Sequence, residues 1–415
     1  RKHALQDLYG WGLSLGFFHA AIVRLFLAFC MVKNEFMARY LYPHIRGLAS
    51  FCVGILLVTF LPRALANGDA ASAASRPSLK TQPVAPPVQV NAISGHLTAR
   101  DLGLIINTAD PYSVAVGNYY ASRRQLNEKQ ILRLELPVQA SLSVEQYESL
   151  VARVESFFGP QTQALALAWT QPHAVQCNSL TAALTMGYQA DLCSRNCGAS
   201  KVSRYFNSGS ARPFKDLTMR PSMQIAARTI DGAKALIDRG VASDGQQGLR
   251  GGIAANAYLV STGDAARNVR TALYPPASVK HVKGLQIHQA MVNELDELSR
   301  VLIYLTGAAR VDHLEKIHFL PGALADHLTS YGGVLSNPAG QGQMTALDWI
   351  DAGATASYGT VSEPCNHLQK FPHPQLLMLY YLQGSTAIEA YWRSVAWPGQ
   401  GVFVGEPLAA PFARR

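Results

Sequence analysis

The chain has 415 residues, 48% of them hydrophobic and 15% charged, which is enough for one large α/β domain or two smaller ones with a sizeable core. Its formal charge of +9 is concentrated at the start: residues 1–66 hold seven Lys/Arg against two Asp/Glu, leaving 29 against 25, or +4, for the remainder. A balance so mild and so scattered excludes a nucleic-acid-binding stripe.

Met37 to Arg46 is a basic region, Gly47 to Leu61 an apolar run, and Ala64-Leu65-Ala66 an A-x-A cleavage signal before Asn67. Together they read as a secretory signal peptide over 37–66. The apolar run is shorter than the ~20 residues a membrane-spanning helix needs, and Pro62 and Arg63 follow it. Residues 1–36 form an upstream extension whose own apolar stretch, Trp11 to Val32, is broken by His19 and Arg24. We favour Met37 as the true start over a first membrane segment. Residues 67–91 are Ala, Ser and Pro with almost no large apolar side chain and read as a flexible linker. The folded part is expected over 92–412, exported to the periplasm or beyond, touching membrane only through the leader.

Leu102–Asn107 is an apolar run suited to a buried strand, and Thr108-Ala-Asp-Pro111 supplies a turn and helix cap. A helix over 112–125, a strand at 131–136, an amphipathic helix from Ser143 to Phe158 and a strand at 164–169 follow. The loop after that strand carries His173 and Cys177, a base and a nucleophile if the thiol is free, or half a disulfide and a loop histidine if it is not. Residues 188–222 are irregular. A strand at 223–229 and a helix at 231–240 close the first series, and strands at 257–262 and 301–305 with a helix after Asp264 belong to the second, so that two strand–helix series, about 92–245 and 253–412, make an α/β fold with a predominantly parallel sheet flanked by helices. The glycine-rich stretch 245–252 has neither Walker nor dinucleotide spacing.

The stretch 319–373 draws the chemistry together. A helix begun by Pro321, a helix at 344–352 and a small-residue strand 354–359 place Asp326, His327, Glu363, Cys365 and His373 in one region otherwise poor in charge. Loops at the carboxyl ends of strands are where α/β proteins put their sites. Removing Cys30 and Cys52 with the leader leaves four cysteines, an even number that favours two disulfides in an oxidising compartment. Local pairing of Cys193 with Cys197 would leave Cys177 for Cys365.

Several motifs carry a resemblance. N-T-A-D-P-Y-S-V at 107–114, C-N-S-L-T at 177–181, the run at 319–333, G-T-V-S-E-P-C at 359–365 and the tail at 390–408 resemble a family of uncharacterised bacterial exported proteins, over roughly residues 100–412. A more distant resemblance is to the caspase–gingipain group of cysteine peptidases, and it implies their doubly wound architecture. There V-L-I-Y-L-T-G at 301–307 stands where a strand leads into a His-Gly pair, with Thr306 in place of the histidine. The place of the catalytic cysteine falls near Pro321-Gly322, which has no thiol, whereas 353–359 and Gly405-Glu406-Pro407 fit the small-residue strand and the closing tail.

Two functions remain. The favoured one is a non-catalytic exported binding or surface protein whose ligand is a protein, a peptide or a small molecule. The alternative is a hydrolase with Cys365 or Cys177 as nucleophile and His327, His373 or His173 as base, oriented by Asp326 or Glu363. A zinc-assisted variant would gather His327, His367, His373 and Glu363; no other cofactor is expected.

Overall fold

The structure is a computed structural model that describes residues 88–195, 197–292, 295–336 and 342–414, all within the compact unit Thr81–Arg415. The expected extension, the leader and all but the end of the linker lie outside the described residues.

The first series forms for local reasons. β1 (Leu102–Asn107) leads into α1 (Pro111–Arg124), where Asp110 Oδ1 accepts from Tyr112 N at 3.0 Å and Pro111 occupies the first helical turn. β2 (Ile131–Leu134) precedes α2 (Val144–Phe157), which opens with a capping box between Ser143 and Gln146. Next come β3 (Ala164–Leu167), α3 (Leu180–Met186), the short helices α4 (Asp191–Ser194) and α5 (Pro213–Leu217), β4 (Ser222–Gln224) and α6 (Ile230–Ser243). The second series runs β5 (Ala255–Ser261), a 3-10 turn Arg267–Leu273, β6 (His281–Val282), β7 (Leu285–Met291) and β8 (Leu298–Thr306). It ends with β9 (Ile317–His327), α7 (Ala346–Asp351), β10 (Ala356–Thr360), α8 (Pro374–Leu382), α9 (Ala387–Ser394) and β11 (Gly401–Gly405).

These strands make one eleven-stranded sheet in the order β2-β1-β3-β4-β11-β10-β9-β8-β5-β7-β6. Parallel pairing joins β2, β1, β3 and β4, and again β10, β9, β8, β5 and β7. β11 is antiparallel to β10 and lies between the two groups, meeting β4 where Val404 stands opposite Gln224. The chain is therefore α/β with a predominantly parallel sheet flanked by helices. Strand alternation splits the core: Leu104 and Ile106 pack with Val116 and Tyr120 of α1 and Leu236 of α6, while Ile105 turns to Tyr147, Leu150 and Val154 of α2. Burial on both faces is why β1 reads as an unbroken apolar run.

One expected element changes type. Pro321 does not begin a helix; it sits inside β9, whose residues from Gly322 to His327 are all buried. The proline is tolerated because the β8–β9 register slips there, between Val301–Phe319 and Ile303–Leu324, so no ladder bond is asked of it. Gly322 takes φ +87° at this slip, and its carbonyl accepts from Tyr381 Oη at 2.6 Å.

The small-residue strand has a packing reason of its own. A Cβ on Gly359 would lie 2.2 Å from the Gly332 carbonyl carbon and 2.4 Å from Gly333 N. The two motifs Tyr331-Gly332-Gly333 and Tyr358-Gly359-Thr360 are thus halves of one backbone contact, to which Thr360 Oγ1 adds a bond to Ser330 O at 2.8 Å. Gly359→Ala should destabilise the fold by about 3 kcal/mol, the top of the overpacking range, because backbone rather than a mobile side chain must give way. Chemical denaturation would measure it.

Candidate functional site

Loops at the carboxyl ends of the two strand groups meet at one edge: Ser362 Oγ, after β10, donates to the Cys177 carbonyl, after β3, at 2.7 Å. Both sulfurs at this edge are bonded, but not in the expected pairs. Cys177 joins Cys193 and Cys197 joins Cys365, with Cα separations of 5.3 and 5.2 Å that suit disulfides. The segment 193–197 lies between the two loops, so each of its cysteines ties to a different one rather than to its neighbour. Neither Cys177 nor Cys365 offers a thiolate in this form.

Most of the histidines and carboxylates are also committed. Asp326 and His327 are consecutive strand residues and so point to opposite faces of the sheet. His327 is buried against Trp349, whose Nε1–H donates to Nδ1 at 2.9 Å; Nε2–H in turn donates to Met344 O at 3.0 Å. Both ring nitrogens are used, which leaves no lone pair for a substrate proton or a metal. His373 caps α8, its Nδ1 accepting from Leu376 N at 3.5 Å. Glu363 Oε1 accepts from the Cys365 amide at 2.8 Å, closing the turn in which Cys365 and Asn366 take φ near +55°. His173 is buried in the loop after β3 with Nδ1 unpartnered among the described residues. Among the described residues no three His, Cys, Asp or Glu side chains form a metal-holding group.

Asp326 meets a partner whose role the sequence did not reveal. Arg270, from the 3-10 turn after β5, places Nη1 2.5 Å from Asp326 Oδ1 and Nη2 2.9 Å from Thr306 O. Both side chains are fully buried. Burial raises the Asp326 carboxyl above its ordinary range, and the guanidinium only partly offsets this. Lys370 is a second unforeseen group: its Nζ is buried without a hydrogen-bond partner among the described residues, and burial pushes it down to about 8, with Glu363 acting in the other direction.

Burial pushes His173, His327 and His373 down to about 4 from the ordinary 6.5. Between those two values the unfolded chain binds protons that the native state refuses, so stability falls as the pH drops from 6.5 to 4 and levels off below. For the fully buried His327 the loss is roughly 3 kcal/mol when complete. The raised Asp326 works with the opposite sign, so the contribution is best isolated by difference. His327→Gln should lose less stability than the wild type between pH 7 and pH 4.5 in urea titrations.

The open space at this edge is lined by other residues. A cavity of about 440 Å³ is lined by Asp110 and Tyr112 after β1, Thr170 and Gln171 after β3, Arg228 after β4, and Leu335 and Leu347 from the second series. The chain leaves β1 for β2 on one side and then returns to β3 on the other, so the cavity sits at a topological switch point, where open α/β sheets bind ligands. Tyr112 Oη accepts from Ala227 N at 2.8 Å, and burial pushes the phenol up to about 12, so it stays neutral. Gln224 Nε2 braces the floor by donating to the Trp169 and Pro172 carbonyls at 3.1 and 3.2 Å. Arg228 is neutralised by Asp348 at 3.0 Å and by Asp351. The result is a polar mouth with one apolar wall.

No family model and no curated protein matches this chain. Among solved structures it is similar to the crystal structure of the Arg-specific cysteine proteinase gingipain R, at 9% identity over 75% of this chain and 78% of that one, with a TM-score of 0.43. It is also similar to the complex of the pro- and mature domains of the Porphyromonas gingivalis enzyme, at 9% identity, coverage of 74% and 79%, and a TM-score of 0.39. A structure described only as a protease gives 10%, 76% and 79%, and 0.44. These likenesses are distant, and the site is read from this chain's own residues.

Proposed function

We propose that the protein is an exported, non-catalytic binding protein that holds a short peptide or small polar molecule in the crevice at the carboxyl ends of β1, β3 and β4. One observation carries the reading. The side chains suited to hydrolysis are consumed by structure, Cys177 and Cys365 in disulfides and His327 between Trp349 and Met344, whereas a cavity lined by other polar groups, Thr170 and Gln171 among them, opens at the same sheet edge. Export is supported by the two disulfides and by the three-part leader read in the sequence. No helix among the described residues is long and apolar enough to cross a membrane.

A library of capped di- and tripeptides, screened by ligand-observed NMR, tests this. Val138 lines the cavity and is 54% exposed, so Val138→Trp should fill the crevice without disturbing the core. Hits should weaken at least tenfold in the variant while its melting temperature holds. Turnover of any of these peptides by protein with both disulfides intact would reject the non-catalytic reading.

A further inference from the structure

A second cavity, of about 390 Å³, opens on the α2 face near the amino ends of β3 and β4, away from the crevice. Its size is within the range of small-ligand sites. Residues of α2, β3 and α3 give it an apolar floor that includes Val151, and its charged lining is one-sided: Lys201, Arg204 and Arg220 against the single carboxylate of Glu155.

Arg220 is the informative residue. It is only 9% exposed, and its guanidinium lies over the Phe214 ring, 3.5 Å from the centroid. Nε donates to Thr162 O at 3.1 Å, and Nη2 to Phe158 O at 2.8 Å and Gly159 O at 3.1 Å. These acceptors fix the fork but are neutral. Among the described residues no carboxylate stands within ion-pair distance of Arg220, Arg204 or Lys201, and Nη1 of Arg220 has no acceptor. Arg204 makes one bond, to Thr218 Oγ1 at 3.2 Å. Burial lowers the pKa of the Arg220 guanidinium, and Glu155, beyond ion-pair distance, offsets only part of the effect, so its charge is incompletely compensated. An anion arriving on the free edge would supply what the protein omits, and a guanidinium fork matches a carboxylate.

We infer that this cavity binds a compact apolar carboxylate. The carboxylate pairs with Arg220, Arg204 and Lys201 draw it to the mouth, and the hydrocarbon lies on the apolar floor. Two sources share that chemistry: a free medium-chain acid, and the C-terminal carboxylate of a peptide ending in an apolar residue.

Calorimetry on the mature, disulfide-bonded protein separates them. The probes are octanoate, octylamine, N-acetyl-Gly-Phe with a free carboxylate, and the same dipeptide amidated. Binding of octanoate alone identifies the free acid, and binding of the free dipeptide identifies the chain terminus. Octylamine and the amide should fail. Arg220→Gln should weaken the carboxylate at least tenfold. Because that variant also loses carbonyl contacts, Val151→Trp is the second test: it keeps all three cations, fills the floor and should abolish binding. Val138→Trp, in the crevice, should leave octanoate binding unchanged. The inference is overturned if octylamine binds as well as octanoate, if neither carboxylate binds at millimolar concentration, or if Val151→Trp binds like the wild type.

Discussion

Replacing both Cys197 and Cys365 by serine should cost about 5 kcal/mol of stability, against about 3 kcal/mol for the Cys177 and Cys193 pair. The difference comes from the lengths closed: 168 residues in the first case and 16 in the second. A cross-link removes more conformations from the unfolded chain when it spans more of it. The long link joins α4's neighbourhood in the first strand group to the loop after β10 in the second, so it bridges the two halves of the sheet, whereas the short one only tethers α4 to the loop before α3. Equilibrium denaturation of the two double-serine variants measures the ranking. The pairing itself is open to a non-reducing peptide map of the mature protein: fragments containing Cys197 and Cys365 should migrate together, and alkylation before reduction should label no cysteine. Equal losses in the two variants would mean that the unfolded chain keeps the halves together without the link.

Much of the first strand group was legible, and the reason is periodicity. β1 matches its expected bounds because a doubly covered strand is apolar without interruption and is followed at once by an Asp-Pro cap. The helix read over Ser143 to Phe158 becomes α2 because one face alone is buried, at Tyr147, Leu150 and Val154. Where burial is complete the pattern vanishes. α8 is Pro-Gln-Leu-Leu-Met-Leu-Tyr-Tyr-Leu, buried at all but one position, and its residues show no helical stripe to read. β9 failed for another reason: Pro321 in an otherwise apolar run was weighted as a helix start, and only the neighbours β8 and β10 determine that the run is a strand with a register slip. The candidate site was less legible than the fold. Sequence brought reactive residue types together in one stretch, but what each one touches depends on other residues of the chain, such as Trp349 for His327 and Arg270 for Asp326. The proposed crevice was not read from the sequence because its lining comes from separate loops and helix starts, none unusual alone.

The Arg270–Asp326 pair distinguishes a structural reading of the 319–373 stretch from a catalytic one. Asp326→Ala should destabilise the protein by about 3–5 kcal/mol, because it strands a buried guanidinium without its counter-charge. The reverse change, Arg270→Ala, should cost a similar amount by stranding the carboxylate, which burial already raises. Neither residue has solvent to fall back on, since both are fully buried and Arg270 Nε is itself unpartnered among the described residues. Removing both charges at once avoids the cost. The double variant Arg270→Met with Asp326→Leu should recover most of the lost stability, because the attraction in a buried pair does little more than repay desolvation. A double-mutant cycle in urea gives the coupling directly, and a strongly positive coupling identifies the pair as a unit of the fold. An aspartate left free for chemistry behaves otherwise: with no buried counter-charge to strand, its removal costs little stability, and an apolar replacement of Arg270 restores nothing. A stable Asp326→Ala protein would therefore return this carboxylate to the list of groups available for chemistry, and with it the hydrolase reading of the stretch around it.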